Sequence, residues 1–396
     1  MSVSVHVAPW VLPVASPPIR DGAVAVDARG VVTAVGRARD LLRLGPAVDH
    51  SGVLTPGFVN AHTHVELSHL GLVPGGDGLA AWILRLLSSR TPNAAPNLEA
   101  ADRAARNAAQ SMASRGTVAV ADITNELRAH RFLREAGLDV LALDERIAPT
   151  GVPPVGNPEF VQTAHATYTC GAAALRALAA RSGGTLRSIH IDEDPAEAEL
   201  TLDASGELAE LLAVRKVHTE GLPSGLRPIP WLEALGVLGA NTLLVHLTFA
   251  DDASLRLAAG RDAVAVLCPR SNQHITGQLP PFARIQAAGL RTALGTDSLT
   301  SSPSLDVLAE LPPLARAGAD PAWLLHAATV GGAQALGFAH RGALAPGMRP
   351  GLVELGDAAR RLSDPIAWLA HEAADAPVRR PHLRTSSPPL SSSVFA

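Results

Sequence analysis

Five residues in this chain have the types and the spacing to gather around a metal ion: His62, His64, His190, His246 and Asp297. The first two form a His-x-His pair closing the apolar run Leu54-Thr-Pro-Gly-Phe-Val-Asn-Ala-His62. Residues i and i+2 of a strand project from one face, so imidazoles spaced this way reach a single ion. A chain with 15 histidines in 396 residues shows such a pair by chance about every second time, so the pair alone decides little. Its context decides more. A hydrophobic run, a Pro-Gly turn and a second apolar stretch deliver it, as in a buried parallel strand that opens into a site.

The other three repeat that arrangement. His190 ends Leu186-Arg-Ser-Ile, His246 ends Leu243-Leu-Val, and Asp297 ends Ala293-Leu-Gly-Thr. One histidine closing an apolar strand is more often a hydrogen-bonded core residue than a ligand. Five residues at matched strand ends are poorly explained that way, and a shared metal site is the better reading.

The elements that must position them follow from the hydrophobic pattern. From Val3 to about Val53 short β-type runs alternate with turns at Asp21-Gly22 and Arg29-Gly30, a small all-β unit. Beyond it strands are predicted at Thr55–Ala61, Thr117–Ile123, Val140–Leu143, Ala166–Thr169, Leu186–Ile191, Thr242–Leu247, Ala263–Leu267 and Arg291–Gly295. Helical segments lie between them, among them Leu98–Ser114, Ala172–Arg181, Leu208–Val217, Pro230–Leu238 and Ala322–Leu336. Eight strands alternating with helices fit an α/β fold of the (β/α)₈ TIM-type barrel class, in which function sits at the C-terminal strand ends. A doubly wound sheet would usually carry a Gly-rich phosphate loop after its first strand, and none is present. The expected organisation is a barrel over 55–340 and a small composite β-sandwich domain built from 1–54 and 341–376. The Ser-, Pro- and Arg-rich stretch 377–396 is expected to be a poorly ordered tail.

Composition narrows the function. The formal net charge of −4 and 47% hydrophobic content give no basis for a nucleic-acid or membrane partner. No apolar run approaches a bilayer span, no Lys or Arg precedes Arg20 as a signal peptide would need, and two cysteines make no disulfide framework. A cytoplasmic enzyme acting on a small molecule is expected. A homodimer is compatible with this and not demanded by it. The only lysine, Lys216, follows Arg215 rather than Gly, which rules out a P-loop and makes Ser-Lys or Schiff-base chemistry improbable.

Taken in order, Pro56-Gly-Phe-Val-Asn-Ala-His-Thr-His64, His190-x-x-Glu193, Leu244-Val-His246, Cys268-Pro-Arg-Ser-Asn272 and Gly295-Thr-Asp-Ser298 resemble the amidohydrolase superfamily, in its single-metal deaminase and chlorohydrolase branch. Ala345-Pro-Gly347 matches the return to the β domain. Within the branch, His64-Val-Glu-Leu-Ser68, the cysteine motif and Gly295–Ser302 look most like aminodeoxyfutalosine deaminases of menaquinone biosynthesis. The resemblance implies one divalent ion, Zn or alternatively Fe, on His62, His64, His190 and Asp297, and hydrolytic attack by a water ionised there. It implies Glu193 as the proton carrier, His246 as the residue that holds the attacking oxygen, and Asp297 as ligand and proton acceptor. In isolation Asp192-Glu193-Asp194 could equally be a solvated acidic loop. Glu66, Ser68, Arg146, His165 and Arg270 could line the substrate pocket, either arginine as a fork for a substrate carboxylate. Structural roles for these five are about as good a reading, and the sequence does not decide for His69 and His274. Guanine deaminases, methylthioadenosine or S-adenosylhomocysteine deaminases, chlorohydrolases and cyclic-amide hydrolases share the same shell, and an inactive barrel kept as a binding module is the non-enzymatic alternative. Two departures from the pattern, Pro350-Gly351 in place of Ala-Asp and no recognisable final strand after Ala376, fall in the β domain.

Overall fold

The computed structural model describes residues 2–90 and 97–381. Five strands open the chain: β1 (Val3–Val11), β2 (Ile19–Asp27), β3 (Val32–Arg37), β4 (Ala47–Asp49) and β5 (Val53–Thr55). Eight more follow, with helices in every connection but the one from β8 to β9: β6 (Phe58–Thr63), β7 (Thr117–Thr124), β8 (Asp139–Arg146), β9 (Val161–Ala164), β10 (Arg187–Ile191), β11 (Thr242–His246), β12 (Val264–Leu267) and β13 (Arg291–Leu294). Two short strands follow, β14 (Val353–Leu355) and β15 (Val378–Arg379).

One sheet runs β15-β14-β5-β1-β2-β3, with β4 also paired to β1. It joins segments from both ends of the chain through the antiparallel β5–β14 pair, Val53 opposite Leu355. The stretch from 377 on is therefore not all tail: Val378 and Arg379 pair with Leu355 and Glu354. Two residues are too few for a strand pattern to show in the sequence. The rest of the expected tail, 382–396, lies outside the described residues.

The eight alternating strands form two four-stranded parallel sheets, β6-β7-β8-β9 and β10-β11-β12-β13. Single parallel bridges link their edges, Thr63 to Asp297 and Ala166 to His190. Alternation along the strands sorts their side chains. Val59 and Ala61 of β6, Leu243 and Val245 of β11, and Val264 and Val266 of β12 meet in one apolar cluster. Their neighbours Leu244, Ala265 and Leu267 face the helices instead.

The structure departs from the sequence reading at two elements. The fourth strand of the alternating set is Val161–Ala164, not Ala166–Thr169. The run 166–169 reads as a strand, but Thr167 Oγ1 donates to Glu197 across the fold and Thr169 Oγ1 donates locally, to the Ala166 carbonyl. Side-chain bonds of this kind compete with a ladder, and the segment turns. The helix expected over 322–336 is split by a π-helical stretch, Ala327–Gly331. There Thr329 Oγ1 donates to the Leu325 carbonyl at 2.6 Å, and a Cβ on Gly331 would collide with the Thr292 carbonyl oxygen.

Candidate metal centre and active site

Straight alternation would send His62 away from the face that Ala61 occupies. Between Asn60 and Thr63, three steps along β6 oppose two along β7, a β-bulge that re-aims the strand end. Asn60 holds the bulge, its Nδ2 donating to Thr296 Oγ1 at 2.7 Å and its Oδ1 accepting from the Thr296 amide at 3.2 Å. His246 meets the same difficulty, because Val245 already faces the inner cluster. Here the backbone turns left-handed, with φ of 80° at His246 and 56° at Leu247. Asp192 and Asp297, at 50° and 58°, also have positive φ. Asp and His tolerate this region better than most residues, Leu much less so, and such strain gathers where a scaffold over-determines a site.

Their ligand atoms converge. Those of His62, His64, His190 and Asp297 lie within 4.8 Å of one another, all four residues buried. His64 Nε2 stands 3.2 Å from His62 Nε2 and 3.2 Å from His190 Nε2, and 3.6 Å from Asp297 Oδ1. The edge of a tetrahedron with metal–nitrogen bonds of about 2.0–2.1 Å is about 3.3 Å. The donor set fits one divalent ion. Around it the second atoms are fixed: His190 Nδ1 donates to the His165 carbonyl at 2.7 Å, which leaves Nε2 as its donor to the ion. Asp297 Oδ2 accepts from Ser271 Oγ at 2.8 Å and from Ser301 Oγ at 2.5 Å.

Burial sets the charge states. It lowers His62 well below the usual imidazole range, brings His64 to about 4 against the pull of Asp297, lowers His190, and takes His246 to about 3. Neutral imidazoles are the ligating form. Burial alone would raise Asp297, but the imidazoles of His64, His246 and His190 and the Ser301 hydroxyl more than offset it, and the carboxyl stays below its ordinary value. Glu193 moves the other way: burial first, then the charges of Asp297, Glu197 and Asp194, push it well above the carboxylate range. Its position is rigid because the next residue starts a helix. Asp194 caps Pro195–Asp203, accepting from the Ala196 amide at 2.9 Å. Glu193 Oε1 lies 3.5 Å from His246 Nε2, and Asn272 Nδ2 is 3.0 Å from His246 Nδ1. With that amide donating to Nδ1, the proton of His246 sits on Nε2, the nitrogen 3.5 Å from Glu193.

The residues considered for the pocket fall in different places. His165 joins the site, its ring centroid 4.8 Å from that of His190. Ser68 is buried just beyond His64, its hydroxyl without a partner among the described residues. Glu66 is tied down by Thr124 Oγ1 and by the amides of Asn125 and Glu126 at 2.9 and 3.0 Å, so it braces the loop after β7. Arg146 is paired with Asp144, and Arg270 donates to Ser304 Oγ at 2.8 Å beside the buried Glu310. Each guanidinium thus already has one internal partner. His69 and His274 bond to the backbone carbonyls of Glu66 and Val73. Sequence reasoning passed over Glu145 and Asp122, both buried on strands of the first sheet. The signal for Glu145 was available: like the histidines, it stands at the C-terminal end of its strand.

The family profile described as "Amidohydrolase family" matches residues 53–365, and the chain belongs to that family, as a hydrolase of carbon–nitrogen bonds. A 5-methylthioadenosine/S-adenosylhomocysteine deaminase of Pelotomaculum thermopropionicum is 26% identical over 379 residues, 84% of this chain and 80% of its own. An aminodeoxyfutalosine deaminase of Deinococcus radiodurans is 34% identical over 188 residues, 44% of either chain. Among solved structures, an adenosine deaminase from Xanthomonas campestris with bound zinc superposes with a TM-score of 0.78 at 25% identity, covering 93% of this chain and 89% of that one. No helix among the described residues is long and apolar enough to cross a membrane.

Proposed function

We propose that this chain is a metal-dependent hydrolytic deaminase of a 6-aminopurine nucleoside. The observation that carries the reading is the His62, His64, His190 and Asp297 cluster, with Glu193 and His246 paired 3.5 Å apart at its edge. In this reading the two parallel sheets close as a (β/α)₈ barrel over 55–340, and strands from 1–54 and 341–376 make a small domain beside it. The protein acts in the cytoplasm.

A single divalent ion, zinc before iron, would be held by the four clustered residues and would polarise a water for attack. Asp297, ionised and held by two serines, accepts the proton that the water loses as it adds to the carbon bearing the amino group. Glu193, kept protonated by burial, donates to the adjacent ring nitrogen. His246 Nε2–H orients the attacking oxygen. On collapse the new hydroxyl returns a proton to Glu193, and Asp297 gives its proton to the departing amine, so ammonia leaves and both carboxyl groups are restored.

As the substrate we put aminodeoxyfutalosine first, on the run His64–Ser68 and the Deinococcus similarity. Methylthioadenosine or S-adenosylhomocysteine is the second reading, supported by relatives that match over more of the chain. Ammonia release across a panel of these nucleosides tests both. Turnover of guanine or a chlorotriazine with none of any adenosine derivative would overturn the assignment.

A further inference from the structure

Leu141 packs against the inner apolar cluster, and Glu145, four residues on, shares its face of β8 at the strand's C-terminal end. Glu145 is 5% exposed. One face of its carboxyl group takes the Asn125 amide, with Nδ2 3.2 Å from Oε2, while Oε1 is buried with no hydrogen-bond partner among the described residues. His190 Nδ1 stands 3.7 Å away, but that N–H is already given to the His165 carbonyl. Glu145 therefore does not orient His190. A second metal shared by Glu145, His165 and His190, whose ligand atoms lie within 4.8 Å of one another, fails for the same reason: the remaining nitrogen of His190 faces the first cluster. A buried polar oxygen left unpaired costs free energy, and a hydroxyl, which both donates and accepts, would satisfy it in either charge state.

We infer that Glu145 binds the sugar hydroxyls of the nucleoside substrate. The inference rests on the nucleoside reading above. Glu193 and His246 occupy the β10 and β11 side of the cluster and engage the reacting base, while Glu145 stands on β8, beyond His165. The donors that a purine nucleoside carries away from its base are its ribose hydroxyls.

The test is a cycle of substrates and variants: kcat/KM for adenosine, 2′-deoxyadenosine and 3′-deoxyadenosine with the wild-type chain, Glu145→Gln and Glu145→Ala, alongside metal content. Leaving that buried carboxyl oxygen unsatisfied implies that the wild-type chain prefers adenosine over one of the deoxy substrates by about ten- to a hundredfold. That preference should shrink in Glu145→Gln and vanish in Glu145→Ala, mainly through KM, with bound metal unchanged. A purely structural role would lower all three substrates by the same factor, and that result overturns the proposal, as does loss of metal from either variant. If no 6-aminopurine nucleoside is turned over by the wild-type chain, the nucleoside reading itself fails and takes this inference with it.

Discussion

Glu193→Gln separates proton transfer from everything else that Glu193 does. Burial and the charges of Asp297, Glu197 and Asp194 hold this carboxyl well above its ordinary range, which favours its protonated form. Glutamine has the same shape and the same net charge as that protonated acid. The substitution thus leaves the ground-state field at the metal cluster nearly unchanged and removes only the ability to pass a proton. Positioned acid–base groups are worth about 10²–10⁴-fold, or about 3–5 kcal/mol of barrier, and kcat should fall by that much. Stability should not fall. A carboxyl whose folded pKa is raised is a penalty that grows as pH rises through the window between its unfolded and folded values, and glutamine carries no such penalty. Ammonia release, metal content and a thermal melt at pH 7 and 8 give the three readouts. Activity within a few-fold of wild type would refute the assignment of Glu193. So would loss of metal, because none of the close ligand contacts involves this residue.

Three further outcomes follow from the same geometry. His62→Ala, His64→Ala, His190→Ala and Asp297→Ala should each lose most bound metal and all turnover, and elemental analysis of the wild-type chain should find about one ion per chain; two tight ions would contradict the single-site reading. Asn272→Ala removes the amide 3.0 Å from His246 Nδ1, so metal should stay while kcat drops about ten- to a hundredfold through a lost tautomer preference; unchanged kcat would show that Asn272 does not fix the ring. Asp139 accepts from His340 Nε2 and Arg341 Nε, each at 2.8 Å, and although burial opposes it these partners hold its pKa below the ordinary range. A depressed carboxyl contributes stability above its unfolded pKa and loses it as pH falls. Asp139→Asn should therefore cost about 1–3 kcal/mol in denaturant melts at pH 7, with the difference closing below about pH 4.

The parts of this molecule that were legible in the sequence are those written by period and position. Apolar runs ending in His64, His190, His246 and Asp297 identified both the strands and the cluster, and the helices Leu98–Ser114 and Ala172–Arg181 have the bounds that their pattern gave. What the pattern hid were local exceptions to it. A bulge before His62 and a left-handed turn at His246 bring these rings to the site against simple alternation, and neither leaves a composition signal. Arg146 and Arg270 illustrate the other limit. A free guanidinium and one committed to Asp144 or Ser304 are spelled the same way. Glu145 stands at a strand end that the pattern marked, but its oxygen, unpaired among the described residues, is a property of its surroundings and not of its residue type.

The most direct test of the central claim is to strip the chain of metal and add zinc back in steps while following ammonia release from a 6-aminopurine nucleoside at saturating concentration. A single site on His62, His64, His190 and Asp297 predicts activity that rises linearly and stops rising at one equivalent per chain. A break at two equivalents, full activity in the stripped chain, or no ammonia at any zinc ratio would contradict the account.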